Sequence, residues 1–162
     1  MHPVQSLALA QIKPNPRNAR THSKKQISQI AASIKAFGFT VPVLVNEDHV
    51  LLAGHGRLEA ARMLGLNDVP AIVSTGLSPA QQRALMLADN KIAANAGWDR
   101  ERLAAEIPEL ATLLLLEDLD ISLAGFDPAE IDALVADFED SGDPDDDVDP
   151  GLIDQPPVSC SG

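Results

Sequence analysis

The residues best suited to chemistry lie in one short run, Gly54-His55-Gly56-Arg57, between the apolar stretch Val50–Ala53 and an amphipathic stretch, Leu58–Leu64, closed by Gly65. An apolar strand that delivers a two-glycine turn onto a helix start makes an anion site. Small residues let backbone N–H groups approach a ligand, the helix dipole favours negative charge, and a guanidinium adds a planar fork of donors. The same pattern with a solvated arginine is an ordinary strand-to-helix turn. What separates the two readings is the set of elements that hold the turn.

Upstream, Ser23 and Gln26 stand in capping-box spacing. Ile27, Ile30, Ala31, Ile34 and Phe37 then recur at helical spacing, and Gly38 is expected to stop that helix in a left-handed conformation. Val41–Val45 and His49–Ala53 read as a hairpin around Asn46-Glu47-Asp48. Val4–Leu9 reads as a first strand, ended by the two prolines of Ile12–Arg17. After the turn, a helix is expected over Arg57–Leu64 and a strand over Val69–Val73. Ser78-Pro79 opens a helix to about Ala94, Asp99 caps one through Leu116, and Asp127-Pro128-Ala129-Glu130 starts a last one with the stripe Ile131, Leu134, Val135 and Phe138. The expected architecture is α+β: a small mixed β-sheet flanked by helices over residues 1–98, a helical extension over 99–139, and a disordered acidic tail over 140–162.

Composition sets limits on function. With 45% hydrophobic residues but only 3% aromatics, the core must be aliphatic and rich in alanine. The single cysteine, Cys160, allows neither a disulfide framework nor a thiolate metal cluster, which suits a reducing cytosol. Neither a signal pattern nor an apolar run of the ~18 residues needed to span a bilayer is present, so a soluble cytoplasmic protein is expected. The net charge of −12 hides an asymmetry. Residues 1–98 carry ten Lys or Arg against five Asp or Glu, whereas residues 99–162 carry two against nineteen. The first part has the sign to face phosphates, and the second opposes them or only solvates the chain.

The run "IAASIKAFGFTVPVLVNEDHVLLAGHGR", continued by "AARMLGLNDVPAIV" and "LADNKIAANAGWDRERLAAE", resembles the N-terminal domain of the ParB/sulfiredoxin superfamily over roughly residues 5–110. The resemblance implies that Gly54, His55, Gly56 and Arg57 cradle nucleotide phosphates, of CTP as in ParB proteins or of ATP as in sulfiredoxins. His55 stands where sulfiredoxins carry the cysteine that attacks a sulfinyl group, so sulfinic reductase activity is not expected. Gly56 stands where ParB proteins carry the first arginine of Gly-Glu-Arg-Arg. A second family motif, Glu-Asn-x-Gln-Arg, falls on Asp89-Asn90-Lys91, with Ile92 and Ala93 in place of glutamine and arginine. The match implies that Asp89 holds Mg²⁺ and that Asn90 and Lys91 reach phosphate, with little hydrolysis. The bland alternative makes Asn90 a helix-surface group and Lys91 a plain surface charge. The family's opening Pro-x-Asn-Pro segment brings Arg17, Arg20, Lys24 and Lys25 close together, four cations for nucleotide or DNA phosphates or simply for solvent. Trp98 is expected to pack rather than to stack on a base.

No helix-turn-helix is legible after Asp99, and the acidic helices there argue against sequence-specific DNA reading. "GFDPAEIDAL" followed by an acidic proline-rich stretch looks most like ParB-like domains that precede a DNA-methyltransferase domain. The reading is therefore a ParB-like module that binds CTP or ATP with Mg²⁺ in a DNA-modification system. Its partners would be the nucleotide, DNA held weakly through phosphates or a methyltransferase domain, and no membrane; homodimerisation stays open. A partition-type ParB, a ParB-like nuclease and a protein-binding adaptor are the alternatives. Removing residues 140–162 should leave the melting temperature within a few degrees of the full chain, because so polar a stretch has almost nothing to bury. A larger drop in a thermal melt would show that the tail packs.

Overall fold

The computed structural model describes residues 2–141. Strands β1 (Val4–Ala8), β2 (Val43–Val45), β3 (Leu51–Ala53) and β4 (Asp68–Val73) form a sheet in the order β1-β4-β2-β3. The β1/β4 and β2/β3 pairs are antiparallel and the β2/β4 pair is parallel, so the sheet is mixed. Helices α1 (Lys24–Phe37), α2 (His55–Met63), α3 (Pro79–Asn95), α4 (Arg100–Leu115) and α5 (Pro128–Ser141) complete the fold. This is the α+β architecture expected. Of the stretch expected to be disordered, 140–162, residues 142–162 lie outside the described residues.

Local chemistry sets the boundaries. Ser23 and Ser78 each close a reciprocal capping box, with Gln26 and Gln81 respectively, and so satisfy orphan donors at the starts of α1 and α3. Asp127 and Glu130 exchange the same two bonds at the start of α5. The β2–β3 hairpin is organised by Asn46, whose Oδ1 accepts from the backbone N–H of Asp48 at 3.0 Å and of Val50 at 2.9 Å. Several boundaries differ from the sequence reading, among them those of the hairpin, where β2 and β3 begin at Val43 and Leu51 rather than at Val41 and His49. The first strand stops at Ala8 because Leu9–Gln11 turns into a 3-10 segment. Helix α2 begins at His55, two residues early, because Gly54 serves as its N-cap. Gly38 has positive φ but ψ of 175°, an extended mirror-image conformation rather than the left-handed helical one.

The core has three layers. Leu58 and Ala61 of α2 pack onto Val43, Val45, Leu51, Val69 and Ala71 of the sheet. On its other side α2 offers Ala60 to Ile27 and Ala31 of α1, with Ile30, Ile34 and Leu64 around them. Alanines at 31, 60 and 61 let the layers approach closely, which suits a chain poor in aromatics. α3 lies against β3, and α4 packs on α5. A 3-10 segment, Ile121–Ala124, meets both α1 and α4.

Gly54 is the tightest point of this packing. Its φ is +99°, and a Cβ there would sit 2.8 Å from Val43 Cγ1 and 3.0 Å from Arg57 Nη2. Left-handed strain costs about 1–2 kcal/mol and overpacking about 1–3, so Gly54→Ala should lose roughly 2–5 kcal/mol in a urea melt. Gly97→Ala, with open space around it, should change little. Equal stability of the two variants would contradict this account of the turn.

Candidate functional site

The turn after β3 opens a cleft of about 200 Å³ lined by residues from three further parts of the chain. Ala53–Arg57 supply the floor, Asn18, Arg20 and His22 one wall, and Asp89, Asn90 and Ala93 of α3 another, with Ile30 of α1 closing a side. The wall from the segment before α1 is tied across to α3 by Arg20, whose Nη1 donates to the Asn90 carbonyl at 3.3 Å. The first turn of a helix leaves backbone N–H groups without intrahelical partners, so the start of α2 brings donors and a positive dipole end to this floor.

Arg57 is anchored at one end and unsatisfied at the other. Its Nη2 donates to the Pro42 carbonyl at 3.1 Å, yet its Nε is buried without a partner. Burial pulls its pKa below the ordinary value while the negative charge of Asp89 pushes it back. A guanidinium keeps its proton under any such pressure, so the cleft holds a fixed, half-solvated cation. An unpaired buried donor is costly, and an incoming anion would satisfy it. His55 has the same character: its Nε2 is buried without a partner. Burial and the neighbouring His22 lower its pKa, against a weaker upward pull from Glu59.

The other expected residues divide. Gly54, His55, Gly56, Arg57, Asp89, Asn90 and Arg20 come together at the cleft. Asn90 donates its Nδ2 to the Met86 carbonyl one turn back, at 3.0 Å, so part of the amide serves the helix itself. Lys91 is exposed and does not line the cleft. Arg17 and Lys24 are exposed outside it, and Lys25 pairs with Asp127 at 3.0 Å instead. The four-cation cluster is thus dispersed, with Arg20 alone of the four facing the cleft. Sequence reasoning misses Asn18 and His22, the latter hidden beside the Ser23 cap, and the Pro42 carbonyl, which no side-chain pattern reveals. Trp98 packs on one side only, its ring 5.5 Å from that of Phe126 while the residue stays 70% exposed. Among the described residues, no group of three His, Cys, Asp or Glu side chains converges as a metal site. Also among them, no helix is long and apolar enough to cross a membrane.

A family model described as the ParB N-terminal domain matches residues 1–91. The chain belongs to this ParB family. A second model, described as the ParB-methyltransferase HTH domain, matches residues 101–161. That match corrects the view that nothing after Asp99 resembles a helix-turn-helix. The surface there is acidic, but a helical fold is specified by its buried positions, here Ala104 and Ile107 of α4 with half-buried Ile131 and Leu134 of α5. Among its relatives is the ParB-like nuclease domain-containing protein YnaK of Escherichia coli, 48% identical over 75 residues, which are 46% of this chain and 86% of YnaK. The chromosome-partitioning protein Spo0J of Thermus thermophilus is 37% identical over 91 residues, 54% of this chain but 34% of Spo0J. The match to Stage 0 sporulation protein J of Bacillus subtilis likewise spans 32% of that protein. The chain therefore spans about a third of the length of these two relatives. The fold is shared with the C-terminally truncated ParB of Caulobacter crescentus, solved with CTP-gamma-S, at a TM-score of 0.58 and 22% identity over 67% of this chain and 62% of that one.

Arg57 makes one hydrogen bond within the fold, to the Pro42 carbonyl, and leaves its Nε unpaired. Arg57→Met keeps the aliphatic stem, loses the bond to Pro42 and relieves the orphaned Nε. Stability measured by urea unfolding should change by less than ~1.5 kcal/mol, the size of one net hydrogen bond. A loss above 3 kcal/mol would mean that Arg57 is chiefly structural.

Proposed function

We propose that this ParB-family chain binds the phosphates of a nucleoside triphosphate, CTP in the first instance, in the cleft of Gly54–Arg57. The observation that carries the reading is the buried, unpartnered Nε of Arg57 at a cleft that also gathers Arg20, Asp89, Asn90 and the start of α2. The Caulobacter ParB of the same fold was solved with a CTP analogue, which favours CTP over ATP. Arg57 and the first-turn N–H groups would hold phosphate oxygens, Arg20 would close over them, and the glycines would keep the backbone within reach.

Asp89 suits Mg²⁺ as one carboxylate among phosphate oxygens and waters, which is how this ion is usually held. When bound, the ion would neutralise part of the triphosphate charge. Hydrolysis is expected to be slow, because α3 presents Ile92 and Ala93 where a water-orienting or charge-stabilising side chain would be needed. The match of residues 101–161 to the ParB-methyltransferase HTH model supports a place beside a DNA-methyltransferase in a DNA-modification system. The partition role of the Spo0J relatives is the second reading, favoured by their sequence identity over the first domain. DNA contact by the basic first domain would be to phosphates and would weaken with salt.

Isothermal titration with CTP, ATP and Mg²⁺ tests the central claim. Arg57→Ala should weaken CTP binding about 10- to 150-fold, the equivalent of a charge-assisted bond of ~1.5–3 kcal/mol. A folded variant with unchanged affinity would overturn the assignment of this cleft.

A further inference from the structure

We propose that His55, which lines the floor of this cleft together with His22, takes up a proton when the anion arrives, so that nucleotide binding strengthens on mild acidification. The inference rests on the cleft being the nucleotide site and adds to it a residue pair and a pH dependence.

The geometry begins at Gly56. The absence of a side chain there leaves space into which the His22 ring reaches: a Cβ on Gly56 would meet His22 Cε1 at 3.1 Å, His22 Nδ1 at 3.2 Å and Ile30 Cδ1 at 2.9 Å. His22 is thereby laid against the floor of the cleft beside His55, and both rings line it. The two also border a neighbouring hollow with Arg20, Glu59 and Arg62. His55 Nε2 is buried and makes no hydrogen bond, so the ring has an idle polar atom in a site otherwise built for an anion.

The charges around His55 fix the sign. Its own helix contributes Arg57, Glu59 and Arg62; the segment before α1 contributes Arg20 and His22; α3 contributes Asp89. In the free protein, burial and His22 hold His55 below its ordinary value of 6.5, with Glu59 opposing, which favours the neutral ring. A phosphate anion reverses the balance by favouring the charged ring and accepting its N–H. The pKa of His55 is then higher in the complex than in the free chain. Binding takes up a proton between the two values, and affinity rises as pH falls through that interval.

CTP affinity of the full chain, measured between pH 8 and 6 and divided by that of His55→Gln at each pH, removes the titration of the nucleotide's own terminal phosphate. The ratio should rise up to tenfold per pH unit within the interval, the limit for one linked proton. His22→Gln removes the repulsion in the free protein, so the interval should narrow and the rise should shrink. In the wild type, NMR titration of the His55 Cε1–H should move to higher pH on saturation with CTP, a readout that needs no variant to fold. A flat ratio, or a His55 titration unmoved by CTP, would overturn this inference and leave the nucleotide site standing. Failure of the wild type to bind CTP anywhere from pH 6 to 8 would overturn both.

Discussion

The contact of Gly54 against Val43 is the constraint on which the rest depends. β3 is followed at once by a left-handed residue with no room for a Cβ, through which the chain passes from the sheet into α2. The same turn aims Arg57 back at β2, where the Pro42 carbonyl holds it. Core and site therefore share one joint. Leu58 and Ala61, one turn later, are locked onto the sheet, and the first-turn donors of α2 are left facing the cleft rather than the interior.

Charge is distributed with the same economy. The basic first domain concentrates a cation where a guanidinium is buried, and its other basic residues are paired elsewhere or solvated. Among the described residues, the acidic helical extension meets it through one ion pair, Lys25 with Asp127, reinforced by the Gln29 amide donating to the Gly125 carbonyl at 3.4 Å. Exposed pairs of this type contribute little stability. The extension is better held by burial of Ala104 and Ile107 than by these bridges.

Much of this was legible in the sequence because it is local. Capping boxes at Ser23 and Ser78 and the Asn46 hairpin are each set within a few residues and formed as their spacing requires, while the glycine turn formed with Gly54 alone as the N-cap of a helix that starts at His55 rather than Arg57. What escaped was set by distance along the chain. Lys24 and Lys25 are neighbours of Arg20 in sequence, but the helix that begins at Lys24 carries them away from it. His22 entered the cleft because Gly56, 34 residues on, left space for it, and no periodicity encodes such an empty volume. The Pro42 carbonyl is a backbone atom and carries no residue signature at all. The helical pattern after Asp99 is carried by buried positions such as Ala104 and Ile107, which the acidic surface of those helices hides.

The short parallel bridge between Lys13 and Val50 gives the sheet its asymmetry. Lys13 N–H donates to the His49 carbonyl and its own carbonyl accepts from Leu51 N–H, each at 2.9 Å, along the outer side of β3. The sheet margin next to the cleft is thus already occupied by the chain's own backbone, and a foreign strand finds few free groups there. At the opposite margin β1 pairs only with β4 among the described residues. Any polymerisation by strand addition would therefore extend the sheet from β1, at the edge opposite β3, and leave the entrance to the cleft unobstructed.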